Sequence, residues 1–130
     1  MANPKMTKLW FKHAIRDLKT AKALLEMGSD YKHAAAYHAQ QCAEKAIKGY
    51  LTFANCRVAK THDIKALADI AESVDKAFSK SILKYKSLTK LAIVYRYPDA
   101  EVKPLTLAAA KSAISKAEKA YHYCFKKVYG

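Results

Sequence analysis

The chain has 130 residues, 52% of them hydrophobic, with three glycines and three prolines. That is enough for one domain with a real core, too apolar for disorder, and too poor in loop-formers for long irregular stretches. The formal net charge of +13 points to a polyanion, in practice nucleic acid or nucleotide, or to an acidic protein partner. Asn3-Pro4 is a helix-start signal, since proline is tolerated in the first turn. Trp10, Phe11, Ala14, Leu18, Ala21 and Leu25 then recur at i+3 and i+4 spacing, with Lys12, Arg16, Lys19 and Lys22 mainly off that stripe. This predicts an amphipathic first helix ending near Met27-Gly28. Ser29 or Asp30 can cap a second helix, and so short a gap makes the two helices antiparallel neighbours.

The second helix, Ala34 to Leu51, is the centre of the prediction. It lacks proline and is dense in alanine, the best helix former. At about 100° per residue, Ala35, Ala36, Ala39, Cys42, Ala43, Ala46, Ile47, Tyr50, Phe53 and Ala54 cover half the circumference. Small side chains over so wide an arc let more than one neighbour approach closely. Tyr37, Gln41, Glu44, Lys45 and Lys48 form a narrow polar stripe opposite, facing water, a cleft or a second subunit.

Residues 55–62 have no period and read as a loop. Thr61 or Asp63 caps a third helix with Ile64, Leu67, Ala68, Ala71, Val74 and Phe78 as its apolar side. Ser79 or Ser81 opens a fourth, with Leu88, Leu91, Ala92 and Tyr95 buried, and Pro98 stops it. Thr106 starts the last helix, whose stripe is Leu107, Ala110, Ile114, Ala117, Tyr121, Cys124, Phe125 and Val128. No stretch alternates with period two. The expectation is an all-α, up-and-down bundle of four to five helices in a single domain over residues 1–130.

The charge is uneven. Residues 76–130 carry 12 basic and 3 acidic groups, hence +9 of the +13. Only three of the 24 basic groups are arginine, so the excess also suits a solvated lysine surface that serves solubility alone. Cys42, Cys56 and Cys124 show no CxxC spacing and read as free thiols. No apolar run reaches the ~18 residues of a membrane span, and no charged-then-apolar leader opens the chain. A cytoplasmic protein with no membrane partner is expected.

The usual catalytic signatures are missing: no GxGxxG or Walker loop, no HExxH or Glu-x-x-His metal pair, no nucleophile elbow. His33 and His38 do not share a helix face, so no metal site is expected. Three features rise above that floor. Gln41, Glu44 and Lys48 are spaced i, i+3 and i+7. They suit either a surface salt bridge worth a few tenths of a kcal/mol or the lining of a cleft. Thr61-His62-Asp63 reads first as a capping cluster. His62 also follows Arg57 by five, and an arginine beside a histidine can cleave RNA, the cation steadying phosphorane charge while histidine moves protons. Tyr95-Arg96-Tyr97-Pro98-Asp99 offers a guanidinium fork matched to phosphate between two stacking faces, or an Arg96–Asp99 turn lock.

Taken together, Trp10, Asp17-Leu18, the Ala-x-x-Ala-Gln-Gln-x-Ala-Glu-Lys-Ala-x-Lys run at 36–48, Thr61-His62-Asp63-Ile64 with Leu67, and Arg96-Tyr97-Pro98 resemble a HEPN domain (higher eukaryotes and prokaryotes nucleotide-binding) over nearly the whole chain. The resemblance implies a helical bundle that homodimerises. Many relatives pair with a minimal nucleotidyltransferase as toxin and antitoxin, and active members are metal-independent ribonucleases with an Arg-x4–6-His motif. Arg96 resembles that arginine, but no histidine follows it within the motif's spacing, and the tyrosine of the modified toxins is absent too. The leading expectation is therefore a non-catalytic module that binds a nucleotide such as ATP, or a nucleotidyltransferase, with no cofactor required. Tyr95, Arg96 and Tyr97 would make the contacts, and Gln41, Glu44 and Lys48 would line the cleft. The alternatives are a divergent ribonuclease using Arg96 and His62, and a basic nucleic-acid-binding protein without a pocket.

Overall fold

The structure, a computed structural model, describes residues 3–91 and 105–130. Five complete α-helices and two single 3₁₀ turns occur among them, and residues 89–91 are helical as well. Helix α1 spans Pro4–Met27, α2 Lys32–Phe53, α3 Ile64–Glu72, α4 Lys76–Leu83 and α5 Leu107–Tyr129, with 3₁₀ turns at Ser29–Tyr31 and Lys86–Leu88. No strand occurs among the described residues. No helix there is long and apolar enough to cross a membrane. The all-α bundle expected from the periodicity is the fold observed.

Side-chain caps set most of the helix starts. Asn3 accepts from the Met6 amide at 3.1 Å, and Thr106 from the Ala109 amide at 3.0 Å. Asp63, not Thr61, caps α3, accepting from the Lys65 amide at 3.0 Å. Gly28 holds φ 138°, a value that suits glycine, at the end of α1. Two boundaries differ from expectation. Ser29 and Asp30 lie in a 3₁₀ turn, and α2 starts at Lys32 with no side-chain cap. The third helix stops at Glu72, because Asp75 accepts from the Phe78 amide at 2.9 Å and opens α4 there. Phe78 thus belongs to α4, the fourth helix begins before Ser79, and Leu88 is buried from the 3₁₀ turn rather than from a continuous helix. Ala92 and Tyr95 lie outside the described residues.

Helix α2 is the axis of the bundle. Contacts between α1 and α2 pair Asp17 with Lys45 and Phe11 with Gly49, so the two run antiparallel. Cys42 meets Ala117, and Phe11, early in α1, meets Phe125, late in α5, so α5 runs parallel to α2 and antiparallel to α1. The close approach rests on small residues. Ala14, Ala21, Ala39, Ala43, Ala46, Ala117 and Ala120 have no exposed surface. A Cβ at Gly49 would stand 2.7 Å from the Phe11 ring, so only glycine fits that crossing. Phe53, expected on the apolar face, is exposed, since it ends α2 beyond the packed crossing. Helix α3 packs on α4, and a stack of Tyr50, Phe78 and Tyr123 ties α4 to α2 and α5 at centroid spacings of 3.9 and 5.6 Å.

Candidate functional site

The polar stripe of α2 does not face water. Glu44 is 2% exposed, Lys48 6% and Gln41 8%. A buried charge must be paired and hydrogen-bonded to persist, and here it is. Lys48 Nζ donates to Glu44 Oε2 at 2.9 Å, one helical turn away. Gln40 Nε2 donates to Glu44 Oε1 at 3.1 Å and lies 3.4 Å from the His62 carbonyl. Gln41 Nε2 donates to Gln40 Oε1 at 2.7 Å and fixes that amide in turn. The expected surface salt bridge is thus a closed interior network, and its i,i+4 geometry gives no sign of that by itself.

His62 completes the network from the loop before α3. Its Nδ1 lies 2.9 Å from Glu44 Oε1. A carboxylate only accepts, so the ring donates from Nδ1 and its second nitrogen, Nε2, stays available. The His62 side chain is half exposed. The loop holds it there because Thr61 Oγ1 accepts from the Asp63 amide at 3.1 Å while Asp63 caps α3. The capping reading and the functional reading of Thr61-His62-Asp63 therefore describe one arrangement. Arg57, five residues earlier, is exposed and has no ion pair or hydrogen bond among the described residues.

Lys48 also borders a surface cavity of about 470 Å³ lined by Met6, Trp10, Thr52, Asn55, Val58 and Lys60 among others. Its Nζ sits 5.7 Å from the Trp10 ring centroid, over the ring face. The structure thus joins Gln41, Glu44, Lys48 and His62, four of the residues singled out from sequence. Tyr95, Arg96 and Tyr97, the other three, lie outside the described residues.

Sequence reasoning missed three further groups. Gln40 fell between the apolar and polar arcs, and its only signal was the Gln-Gln pair. Asp17, on α1, accepts from Lys45 Nζ at 2.6 Å and faces His38 Nδ1 at 2.9 Å, both on α2. Asp75 accepts from the Tyr50 hydroxyl at 2.7 Å and pairs with Lys127 at 2.9 Å. The Tyr50 hydroxyl, the Phe78 amide and Lys127 hold the Asp75 carboxyl down at about 2. Burial pushes the Cys42 thiol up to about 12 and raises Cys124 as well, so neither is poised as a nucleophile.

The family model of the HEPN domain matches residues 7–128. This chain belongs to the HEPN family. A solved relative from Thermus thermophilus, TT1696, shares 32% identity with this HEPN chain at a TM-score of 0.74, over 93% of this chain and 97% of that one. The crystal structure of ST0689, an archaeal HEPN homologue, matches at 25% identity and a TM-score of 0.69, over 94% of this chain and 97% of that one. The HEPN chain is also similar to "Putative toxin MJ1304" of Methanocaldococcus jannaschii, 32% identical over 104 residues. That match covers 75% of this chain and 66% of the archaeal protein, just under two thirds of its length.

Proposed function

We propose that this chain is a toxin-like HEPN module that binds the phosphate of a nucleotide such as ATP, or of RNA, at His62. It works as a homodimer and takes a minimal nucleotidyltransferase as its partner. The likeness to a protein named as a toxin supports the first part. The observation that carries the site is the pinned histidine: His62 is half exposed, and Glu44, nearly sealed from water, holds its Nδ1 at 2.9 Å. A ring fixed in this way presents its second nitrogen to a ligand at little ordering cost, on a protein of net charge +13. In this proposal Arg96, with Tyr95 and Tyr97, would offer a fork and stacking faces to phosphate and base, on the chemistry of those side chains alone. The test is titration calorimetry with ATP and with a short RNA on the wild type, His62→Ala and Arg96→Ala. At least a tenfold loss of affinity in His62→Ala, with an unchanged circular dichroism spectrum, supports the site. Affinity equal to wild type in His62→Ala removes it.

A second reading, RNA cleavage without metal, is favoured by the same Nδ1 contact, because a carboxylate behind the ring fixes its orientation and leaves Nε2 to face a substrate. His62 Nε2 takes the 2′-hydroxyl proton, the 2′-oxygen attacks phosphorus and the bond to the 5′-oxygen breaks. The leaving oxygen takes a proton from the imidazolium or from water, giving a 2′,3′-cyclic phosphate. Arg96 steadies the added charge. Cleavage in excess chelator that disappears in His62→Ala and Arg96→Ala would establish it. Intact RNA at high protein concentration would dismiss it and leave the binding reading standing.

A further inference from the structure

Between residues 76 and 98 the chain carries five lysines and one arginine and no acidic residue. Three of the lysines, Lys76, Lys80 and Lys84, stand four apart, two on α4 and Lys84 as its C-cap in helical conformation. Each step is about 6 Å along the axis with about 40° of drift, so the three make one row. Phe78, Ser79 and Ile82 fill the opposite, buried side. Lys86 and Lys90 follow in sequence beyond the helix, and all five are exposed.

Lysines elsewhere, such as Lys111, Lys116 and Lys119 on α5, also have no ion pair among the described residues, but in this row five unpaired lysines follow one another with no acidic residue between them. Lys22, Lys45, Lys48, Lys65 and Lys127 each hold a carboxylate. Among the described residues none of the five row lysines has an ion pair, and only Lys84 has a partner, the Tyr85 ring at 5.5 Å. The nearest acid in sequence, Asp75, is already engaged by Tyr50, Lys127 and the Phe78 amide. The end of the row is tied to the helix that His62 precedes. Thr89 Oγ1 accepts from the Ile64 amide at 3.1 Å, which fastens the residue before Lys90 to the start of α3, two residues past His62.

We infer that this lysine row is a track for the phosphodiester backbone of a single RNA strand, leading it to His62. The inference rests on the phosphate-binding reading of His62 and specifies its ligand. A membrane surface would need exposed apolar anchors beside the charge, but the exposed large hydrophobic side chains include none on α4. A protein interface would need aromatic or arginine anchors, and lysine is depleted from such cores. Lysines without counter-charge at even spacing gain instead by displacing the cations condensed on a phosphate chain.

The test is fluorescence anisotropy with a labelled 12-nucleotide single-stranded RNA across a salt series. It compares the wild type, Lys76→Gln/Lys80→Gln/Lys84→Gln, and the charge-matched Lys111→Gln/Lys116→Gln/Lys119→Gln on α5, each checked for its fold by circular dichroism. The α4 variant should bind on the order of ten- to a hundredfold more weakly at 0.1 M salt, with a salt slope shallower by about 2. The α5 variant should stay within about twofold of wild type. Equal losses in both variants would mean that net charge alone attracts RNA, and overturn the track. An unlabelled poly-glutamate peptide that competes as well as RNA, charge for charge, overturns it in favour of an acidic protein. Binding that falls in His62→Ala but survives in the α4 variant discards the track and keeps the His62 reading.

Discussion

Asp17 and Glu44 each hold one lysine and one histidine through its Nδ1 at hydrogen-bond distance, and α2 contributes to both groups. They differ in where water stands. Around Asp17 the side-chain exposures are graded: 12% for Asp17, 26% for Lys45 and 30% for His38. Around Glu44 they are split: 3% for Glu44 and 8% for Lys48, but 50% for His62. The Asp17 group joins two regular helices, and its histidine is part of that seam. The Glu44 group seals an ion pair inside and presents a loop histidine outside. A seam leaves all its members partly buried, whereas a site hides the supporting charge and exposes the working group.

Removing each carboxylate should break the likeness most clearly. Glu44→Ala leaves Lys48 buried without a counter-ion and should destabilise the fold by about 3 kcal/mol in urea unfolding. Asp17→Ala leaves partners that can turn back to water, so its cost should be about 1–2 kcal/mol. Equal costs would mean that the two carboxylates are equally solvated, against the observed burial. Asp75, a third carboxylate, sharpens the same point through pH. Its folded value of about 2 lies below the ordinary carboxyl value near 3.8. A depressed carboxyl stabilises the fold in full above the unfolded value and loses that contribution as pH falls through the folded one. Between pH 4 and pH 2 the wild type should therefore lose on the order of 1–2 kcal/mol, and Tyr50→Phe, which lacks the main hydrogen bond but keeps the Phe78 amide and Lys127, should lose less. Parallel acid profiles for the two proteins would show that the Tyr50 hydroxyl does not set the Asp75 value.

How much of this was legible in the sequence depends on the range of the interaction. Asn3, Asp63 and Thr106 cap their helices through bonds spanning two or three residues, and short motifs encode those directly. The alanine face of α2 is encoded by period, and it is buried as read. Asp75 was passed over because Ser79 and Ser81 offered competing starts, and only the packing of Phe78 and Tyr50 selects the earlier one. Glu44 and Lys48 show the harder limit. An i,i+4 pair looks the same in water and in a core, and the partner that marks the difference, His62, is 18 residues away. Asp17 lies 21 and 28 residues from His38 and Lys45, so no local pattern records that seam. Gln40 showed only as half of a Gln-Gln pair for a related reason, since its role is to join a carboxylate and a loop carbonyl that only folding brings together.

The smallest expected effects fall on the two histidines, and there stability and binding should order them oppositely. His38→Ala takes one partner from a seam between α1 and α2 and should cost about 1 kcal/mol. His62→Ala removes a half-exposed ring, and Glu44 keeps Lys48 and Gln40, so unfolding should shift by no more than about 0.5 kcal/mol. In phosphate-ligand affinity the order should reverse, with His62→Ala losing at least tenfold and His38→Ala remaining near wild type. A structural role for His62 makes a different prediction. Its removal would then cost at least as much stability as His38→Ala, and affinity would fall only as far as the folded fraction falls. Measuring both quantities on both variants separates these outcomes, because a seam residue acts on ligand only through the population of the fold, while a site residue acts on ligand with the fold intact.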